Sequence, residues 1–487
     1  MRKAIILLLV LTLLLTGGAV FASAELQTEK ENVVFTEKLL YENVLYNGYP
    51  ADGLEIVRNV EFGLRLLWTS TVEFKGNDFE SDTEFGYYPN QIELKTNMFG
   101  NGIQMYCMYD FECRTPEKSS AEAEGLDKAF IELYEETPNG SRGEKTIRLA
   151  DYIEYYPLFI NMELAGAIYS VFPDMENSIY KDDPSVRAIL TMREYFKIPV
   201  LEDEYAYISL SKDLGGKIIS SGFNPLYDEN HYTDTYEPWT ESVTSDNTCF
   251  FWFSNRTAEG RLADTSLIPG GYGIYALPFG TRTDEADGSE YPDVFTEKLH
   301  VFYPVDPQTE IKHLYLTEDN SRLLLHTVEE GKYIVTVIDA ESGSSLQRLK
   351  IAECQTESAW CIYNGVDFSV IGIGKSLYVI ENEGNTWELC FGTEPKDIEL
   401  EKDFMSLWYS DVQCAFDGER LAVCLGIESD VLSAYEGCGF FVAVYDSDGL
   451  QYCANYLNSL EYVNTGEDEY NNLIRPVTGR EISVSWK

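Results

Sequence analysis

Positive charge is scarce in this chain. Its 487 residues carry 36 Lys and Arg against 82 Asp and Glu, a formal charge of −46. A surface this acidic repels phosphate backbones and anionic lipid, so nucleic acid is excluded as a partner. Histidine is scarcer still: His231, His300, His313 and His326 are all there are. None lies in an HExxH arrangement, and no GxSxG elbow occurs, so the two commonest hydrolase signatures are missing. Ten cysteines are modest for this length. They form no CxxC and no Cys/His cluster, which argues against zinc. No EF-hand spacing is present.

The first stretch, MRKAIILLLVLTLLLTGGAVFASAE, has the three-part order of a secretory signal peptide. Arg2 and Lys3 precede an apolar run from Ala4 to Leu15, and Ala22-Ser23-Ala24 offers a small-x-small cleavage site. The run is shorter than the ~20 residues of a membrane span, so cleavage after Ala24 is expected and a retained anchor is not. The far end, REISVSWK, offers no apolar tail for an anchor. The sequence thus reads as a secreted or cell-surface protein with no membrane attachment after cleavage. Its acidity serves solubility outside the cell.

Hydrophobic residues make up 44% of the chain and aromatic residues 14%, ample for a large core. Export permits disulfides, but buried free thiols are the expectation. Cys414 and Cys424 flank one hairpin in a register that does not set them opposite each other.

The most informative stretch is YIVTVIDAESGSSLQRLKI, 333–351, which reads as strand, tight turn and strand. Two later stretches, 377–391 and 440–456, repeat its plan. The shared core is Val337-Ile338-Asp339-Ala340-Glu341, Val379-Ile380-Glu381-Asn382-Glu383 and Val444-Tyr445-Asp446-Ser447-Asp448, each followed closely by Gly. A second hairpin type precedes it, with a polar turn before Arg322-Leu323 and Arg420-Leu421, and a third copy is expected at Arg261-Leu262. Asp417-Gly418 is a strong two-residue hairpin signal. Two hairpins in tandem make four strands, recurring at intervals of 42 and 65 residues between the valines. On these turns, and on the Asp-Gly-x-Arg-Leu-Ala hairpin of 417–422, the chain resembles the β-propeller repeat proteins of the PQQ or YVTN kind. The resemblance covers 311–456 and extends weakly over 250–310. It implies an all-β propeller of about seven four-stranded blades, because one blade cannot bury both its faces alone.

Residues 25–310 are the less regular part. The stretches 63–74, 102–113, 128–136, 145–164 and 205–223 are rich in β-formers, and short helices are expected near 119–128 and 185–196. This organisation suggests a signal peptide at 1–24, a β-rich region of degenerate, loop-rich blades at 25–310, and regular blades at 311–487 continuing one ring. Val34-Phe35-Thr36-Glu37-Lys38-Leu39 recurs identically at 294–299. Both copies are expected in equivalent outer strands, the N-terminal one completing the last blade, with 482–486 a candidate neighbour.

Candidate sites are few. Gly271-Tyr272-Gly273-Ile274-Tyr275-Ala276 matches part of a dinucleotide fingerprint, but Pro278 would stop the required helix at once, so a Gly-rich turn entering a strand is expected. Asp78, Glu80, Asp82 and Glu84 alternate. A strand would project all four to one face, and their mutual repulsion favours a solvated loop instead. The best candidate is YDENHYTDTYEPWTE, 227–241. Tyr227, Tyr232, Tyr236 and Trp239 could stack on sugar rings, while Asp228, His231 and Asp234 could accept hydroxyl hydrogens or join Glu229 in ligating calcium. The functional expectation is a non-catalytic secreted binding protein for a carbohydrate, a peptide or another envelope protein. The alternative is a propeller-type carbohydrate hydrolase or lyase using paired carboxylates. Calcium is the one cofactor the composition invites.

Overall fold

A computed structural model of the chain describes residues 35–85 apart from 44, 47, 63 and 64, then 102–109, 116, 119–164, 167–170, 184–224, 234–283, 290–354, 359–393 apart from 375 and 385, 412–427, 439–458 and 481–487. The leader at 1–24 lies outside these residues. Among them no helix is long and apolar enough to cross a membrane. The structure is all-β: the described residues form seven antiparallel sheets of three to five strands, with two α-helices and two short 3₁₀ turns. The chain divides into two compact units, one from 1–96 and 358–487, the other from 97–357. The sequence boundary near 310 falls inside the second.

The first unit holds three sheets. One is a plain meander of Ala359–Asn364, Phe368–Ile373, Ser376–Glu383 and Thr386–Gly392. The second runs Gln413–Phe416, Leu421–Ile427, Gly439–Asp446 and Gly449–Asn458, and takes Phe35–Glu42 as its outermost strand. Phe35 lies opposite Asn458 and Glu42 opposite Tyr452, across a bulge at Leu39–Tyr41. The N-terminal strand therefore does complete the last hairpin pair. The C-terminal strand, Glu481–Trp486, instead takes the edge of the third sheet beside Leu54–Phe62, ahead of Arg65–Lys75 and Asp78–Phe85. Trp486 fastens these two sheets together: its indole donates to the Ala415 carbonyl at 3.2 Å, and Arg420 lies 4.0 Å over its ring. Their shared core includes Leu54, Ile56, Phe440, Val442, Tyr452 and Tyr456.

Two of the repeated acids, Asp339 and Asp446, are turn-formers. Asp339 accepts from the amides of Ser342 at 2.8 Å and Glu341 at 3.2 Å, and pairs with Arg322 at 2.9 Å. Asp446 accepts from the Asp448 amide at 2.8 Å. Each closes the turn that the following Gly lets reverse; Gly343 sits at φ +70° and Gly449 at φ +106°. Cys414 faces Val423 and Cys424 faces Gln413, so the two thiols are one register step apart and form no disulfide.

Four expectations are corrected here. Asp78–Phe85 is a strand, not a loop. Its acids point outward, while Phe79 packs 5.0 Å from the Tyr456 ring and Thr83 hydrogen-bonds Ser70 at 2.9 Å; Lys75 reaches Glu80 at 2.8 Å and relieves the repulsion. Residues 128–136 are helical, within Gly125–Glu136. Leu126, Ala129, Phe130 and Leu133 are buried at the i, i+3, i+4, i+7 spacing of a helix face, and that period overrides their β propensity. The two Phe-Thr-Glu-Lys-Leu copies are not equivalent. At 35–39 the segment is a strand, whereas at 295–299 it turns through a 3₁₀ helix, Thr296–Lys298. Strand pairing with 449–458 decides the first, because the hexapeptide has no strong preference of its own. The expected third copy at Arg261-Leu262 forms only an isolated bridge, Arg256 to Leu262.

The second unit holds four sheets. Glu310–Leu316, Arg322–Glu329, Lys332–Asp339 and Ser345–Glu353 form a regular meander. Thr240–Thr244, Thr248–Phe253 and Gly273–Thr283 form another, with Glu290–Val294 and His300–Pro304 both paired to the long third strand. The Gly271–Ala276 stretch is thus a turn entering a strand, as its sequence indicates. Two three-stranded sheets interleave along the chain: Gly102–Cys107 with Leu158–Leu164 and Ala167–Ser170, and Arg142–Arg148 with Tyr205–Lys212 and Ile218–Asn224. Helix Pro184–Tyr195 starts at Pro184, whose missing N–H costs nothing there, and buries Val186, Ile189 and Met192. Phe196, just past its end, packs edge-on against Phe251, Phe253 and Tyr275, and Phe253 stacks on Tyr275 at 5.6 Å.

Candidate functional site

The interleaving of the two small sheets brings the segment 153–158 alongside 196–204. The Tyr156 amide donates to the Ile198 carbonyl at 2.9 Å and the Val200 amide to the Glu154 carbonyl at 3.1 Å. Between these segments, the end of helix Pro184–Tyr195 and Met108 lies a pocket of about 340 Å³. Tyr155, Tyr156 and Phe196 give it aromatic walls. Arg193 and Lys197 supply positive charge, and among the described residues Glu194 is the one acid lining it. Lys197 pairs with Glu194 at 2.6 Å and lies 5.7 Å over the Tyr155 ring.

Tyr156 connects this pocket to a buried acid. Glu204 is 1% exposed. Its Oε1 accepts the Tyr236 amide at 2.6 Å, while Oε2 is buried with no hydrogen bond. Burial lifts its pKa to about 7, against the Tyr156 hydroxyl, the Tyr236 amide and Arg261, all of which favour the charged form. The Tyr156 hydroxyl also accepts the Leu201 amide at 3.1 Å. Cys107 closes the group, its thiol reaching the Tyr236 carbonyl at 3.6 Å, and the Tyr109 hydroxyl is buried nearby without a hydrogen bond. Burial pushes both the Cys107 thiol and the Tyr109 phenol well up, so neither ionises near neutrality. A thiol held protonated is a poor nucleophile. The group can exchange a proton through Glu204, but it holds no activated nucleophile.

Of the residues singled out in the sequence, Tyr227, Asp228, His231 and Tyr232 lie outside the described residues. Asp234 and Tyr236 are brought to the Glu204 centre. The Tyr236 ring is buried 4.8 Å from Tyr156, and its hydroxyl donates to the Ser254 carbonyl at 2.9 Å. Asp234 accepts from Thr257 at 2.6 Å, Arg261 at 2.7 Å and the Glu259 amide at 2.8 Å, and Arg261 also reaches Asp203 at 2.5 Å. Partial burial works to raise the Asp234 acid, but these donors outweigh it and hold it below the ordinary carboxylate range. The clamp fixes the backbone that delivers the Tyr236 amide to Glu204. Trp239 stands apart, 58% exposed, with its ring edge-on to Trp252 at 5.2 Å. Glu204 and the pocket wall carry no motif that sequence reading could have found; only the alternation of 205–212 hinted that a buried strand begins there.

A second pocket, of about 400 Å³, lies at the hairpin tips around Asp246, His300, Asn320 and Glu341, floored by Phe250 and Phe302. Among the described residues no group of three or more His, Cys, Asp or Glu side chains is disposed to hold a metal ion.

No family model and no curated protein matches this chain. Solved structures that it resembles include β-propeller-like proteins. The β-propeller domain of Cps50 (Swd1) from Myceliophteria thermophila shares 10% identity at a TM-score of 0.22, covering 54% of this chain and 83% of that one. A putative 6-phosphogluconolactonase from Bacteroides fragilis shares 12% identity at 0.24, covering 53% and 65%. A functionally unknown protein from Desulfotomaculum acetoxidans shares 12% identity at 0.25, covering 82% and 95%. Likenesses this distant carry no statement of function.

Proposed function

We propose that the chain is an exported β-propeller of about seven blades that binds a small carbohydrate without transforming it, in the pocket walled by Tyr155, Tyr156 and Phe196. The observation that carries this reading is the pocket's composition. The half-buried Tyr155 ring suits the C–H face of a sugar, with buried Tyr156 and Phe196 backing the wall, and a few charged groups beside it can fix its hydroxyls. The volume of about 340 Å³ is at the small end for a ligand site, which suits one or two sugar rings. Glycoside hydrolysis needs two carboxyls flanking the scissile bond, and among the described residues lining this pocket Glu194 is the single acid, which favours binding over cleavage. The leader-like N-terminus and the acidic composition support export. Calcium would be an accessory at most.

Calorimetric titration with a panel of neutral, amino and uronic mono- and disaccharides tests the reading. At least one should bind saturably, and Tyr155→Ala should weaken it roughly five- to tenfold, the loss of about 1 kcal/mol of ring contact. A panel with no saturable binder, or affinity untouched by Tyr155→Ala, would count against it.

A further inference from the structure

Two of the chain's four histidines meet across a strand pair. His313 on Glu310–Leu316 lies opposite His326 on Arg322–Glu329, next to a register shift between Ile311 and His313. Their ring centres are 5.5 Å apart, with planes at 66°. Each ring is held through Nδ1. Glu241 Oε1 pairs with His313 Nδ1, while Glu241 Oε2 accepts from the Trp252 indole at 3.0 Å and the Leu314 amide at 2.9 Å. The Tyr333 hydroxyl lies 3.1 Å from His326 Nδ1. His326 is fully buried, and its Nε2 reaches neither solvent nor a hydrogen-bond partner. A buried ring nitrogen left unmatched is costly, and a fold that keeps one invites a ligand for it.

We infer that His313 and His326 together form a binding site for a divalent transition-metal ion, coordinated through their Nε2 atoms. Metal–imidazole bonds of about 2.0–2.1 Å set two rings sharing one ion roughly 5–6 Å apart between centres, which the observed separation fits. A carboxylate on the far ring nitrogen is the usual support for a ligating histidine, since it fixes the tautomer and raises ligand basicity. Glu241 occupies that position with both oxygens already engaged, so it orients His313 and is not itself a ligand. Nitrogen donors select Zn²⁺, Cu²⁺ or Ni²⁺ over Ca²⁺, which takes oxygen. Among the described residues the two imidazoles are the donors, and water enters the shell from the His313 side. The His313 side chain, 26% exposed, is the route from solvent. A register shift beside the pair is a common device for aiming a side chain at a site.

The test is calorimetric titration of the chelator-treated full chain with Zn²⁺ alone. One ion should bind per chain, excess Ca²⁺ should not compete, and His300→Gln should leave affinity unchanged. His313→Gln should weaken binding at least tenfold, and Glu241→Gln by about 10- to 100-fold. His326→Gln should abolish it, with circular dichroism and thermal melts reporting whether that buried variant folds. His313→Gln, on a partly exposed side chain, decides the question if it does not. No one-to-one binding up to about 1 mM Zn²⁺, or a loss below tenfold in His313→Gln, would overturn the assignment, and thiol-borne zinc would show itself in the second way.

Discussion

Glu204→Gln isolates the electrostatics of the buried centre. In the folded chain the Glu204 acid sits at about 7, against an ordinary value of 4.5. Because the folded value is raised, the native state keeps a proton that the unfolded chain has already released. The resulting stability is fully present below pH 4.5 and is lost as pH rises through 7. The gap corresponds to about 3 kcal/mol. Gln keeps a carbonyl oxygen for the Tyr236 amide and carries no charge, so its stability should not fall over this range on that account. Urea unfolding at pH 4.5 and at pH 8 measures both proteins. The wild type should lose about 3 kcal/mol more than Glu204→Gln between the two, with the variant the more stable at pH 8. Parallel pH profiles, or a variant destabilised more at pH 8 than at pH 4.5, would refute the reasoning.

Other substitutions probe the frame. Gly343→Ala should cost about 1–3 kcal/mol in chemical denaturation, because its φ of +70° is left-handed and a Cβ there would stand 2.7 Å from the Phe302 carbonyl. Phe196→Ala should cost about 3–5 kcal/mol in the same assay, since it empties the centre of the cluster with Phe251, Phe253 and Tyr275. Deleting 25–42 should lower the thermal midpoint and speed hydrogen exchange across 449–458, whose outer edge it uncovers. Deleting 481–487 should do the same across 54–62.

The regular hairpins were legible because two signals agreed in each. At 332–353 and 439–458 apolar strands, the second pair buried almost throughout, frame a turn of acid and Gly, and both the structure and the sequence put the reversal at that turn. The N-terminal strand was legible for a weaker reason, a repeated hexapeptide, and that logic failed for the other copy at 294–299, which leaves its strand at Val294 and turns through Thr296–Lys298. Helix Gly125–Glu136 was missed because Phe130, Ile131 and Tyr134 are β-formers individually, while the deciding information was the spacing of Leu126, Ala129 and Leu133. At 78–84 the repulsion among acids is outweighed by Phe79 and Thr83, whose inward contacts on the opposite face hold the strand.

The site was legible only at its rim. Asp234 and Tyr236 read as exposed loop residues in the sequence, and both work from within: one is clamped by Arg261, and the other delivers an amide to Glu204. Nothing local distinguishes Glu204 from the other acids of LEDEYAY. Its character comes from burial beside Tyr156 and Tyr236, which are 48 and 32 residues away in sequence. The pocket wall likewise draws on 153–158 and 193–197, which touch only after the small sheets interleave.

Hydrogen–deuterium exchange with and without the tightest-binding saccharide addresses the binding pocket itself. Bound sugar should slow exchange in 153–158 and 193–197 while leaving the hairpin tips around 246 and 341 unchanged. Protection confined to other segments, or none at a saturating concentration, would contradict the assignment of this pocket.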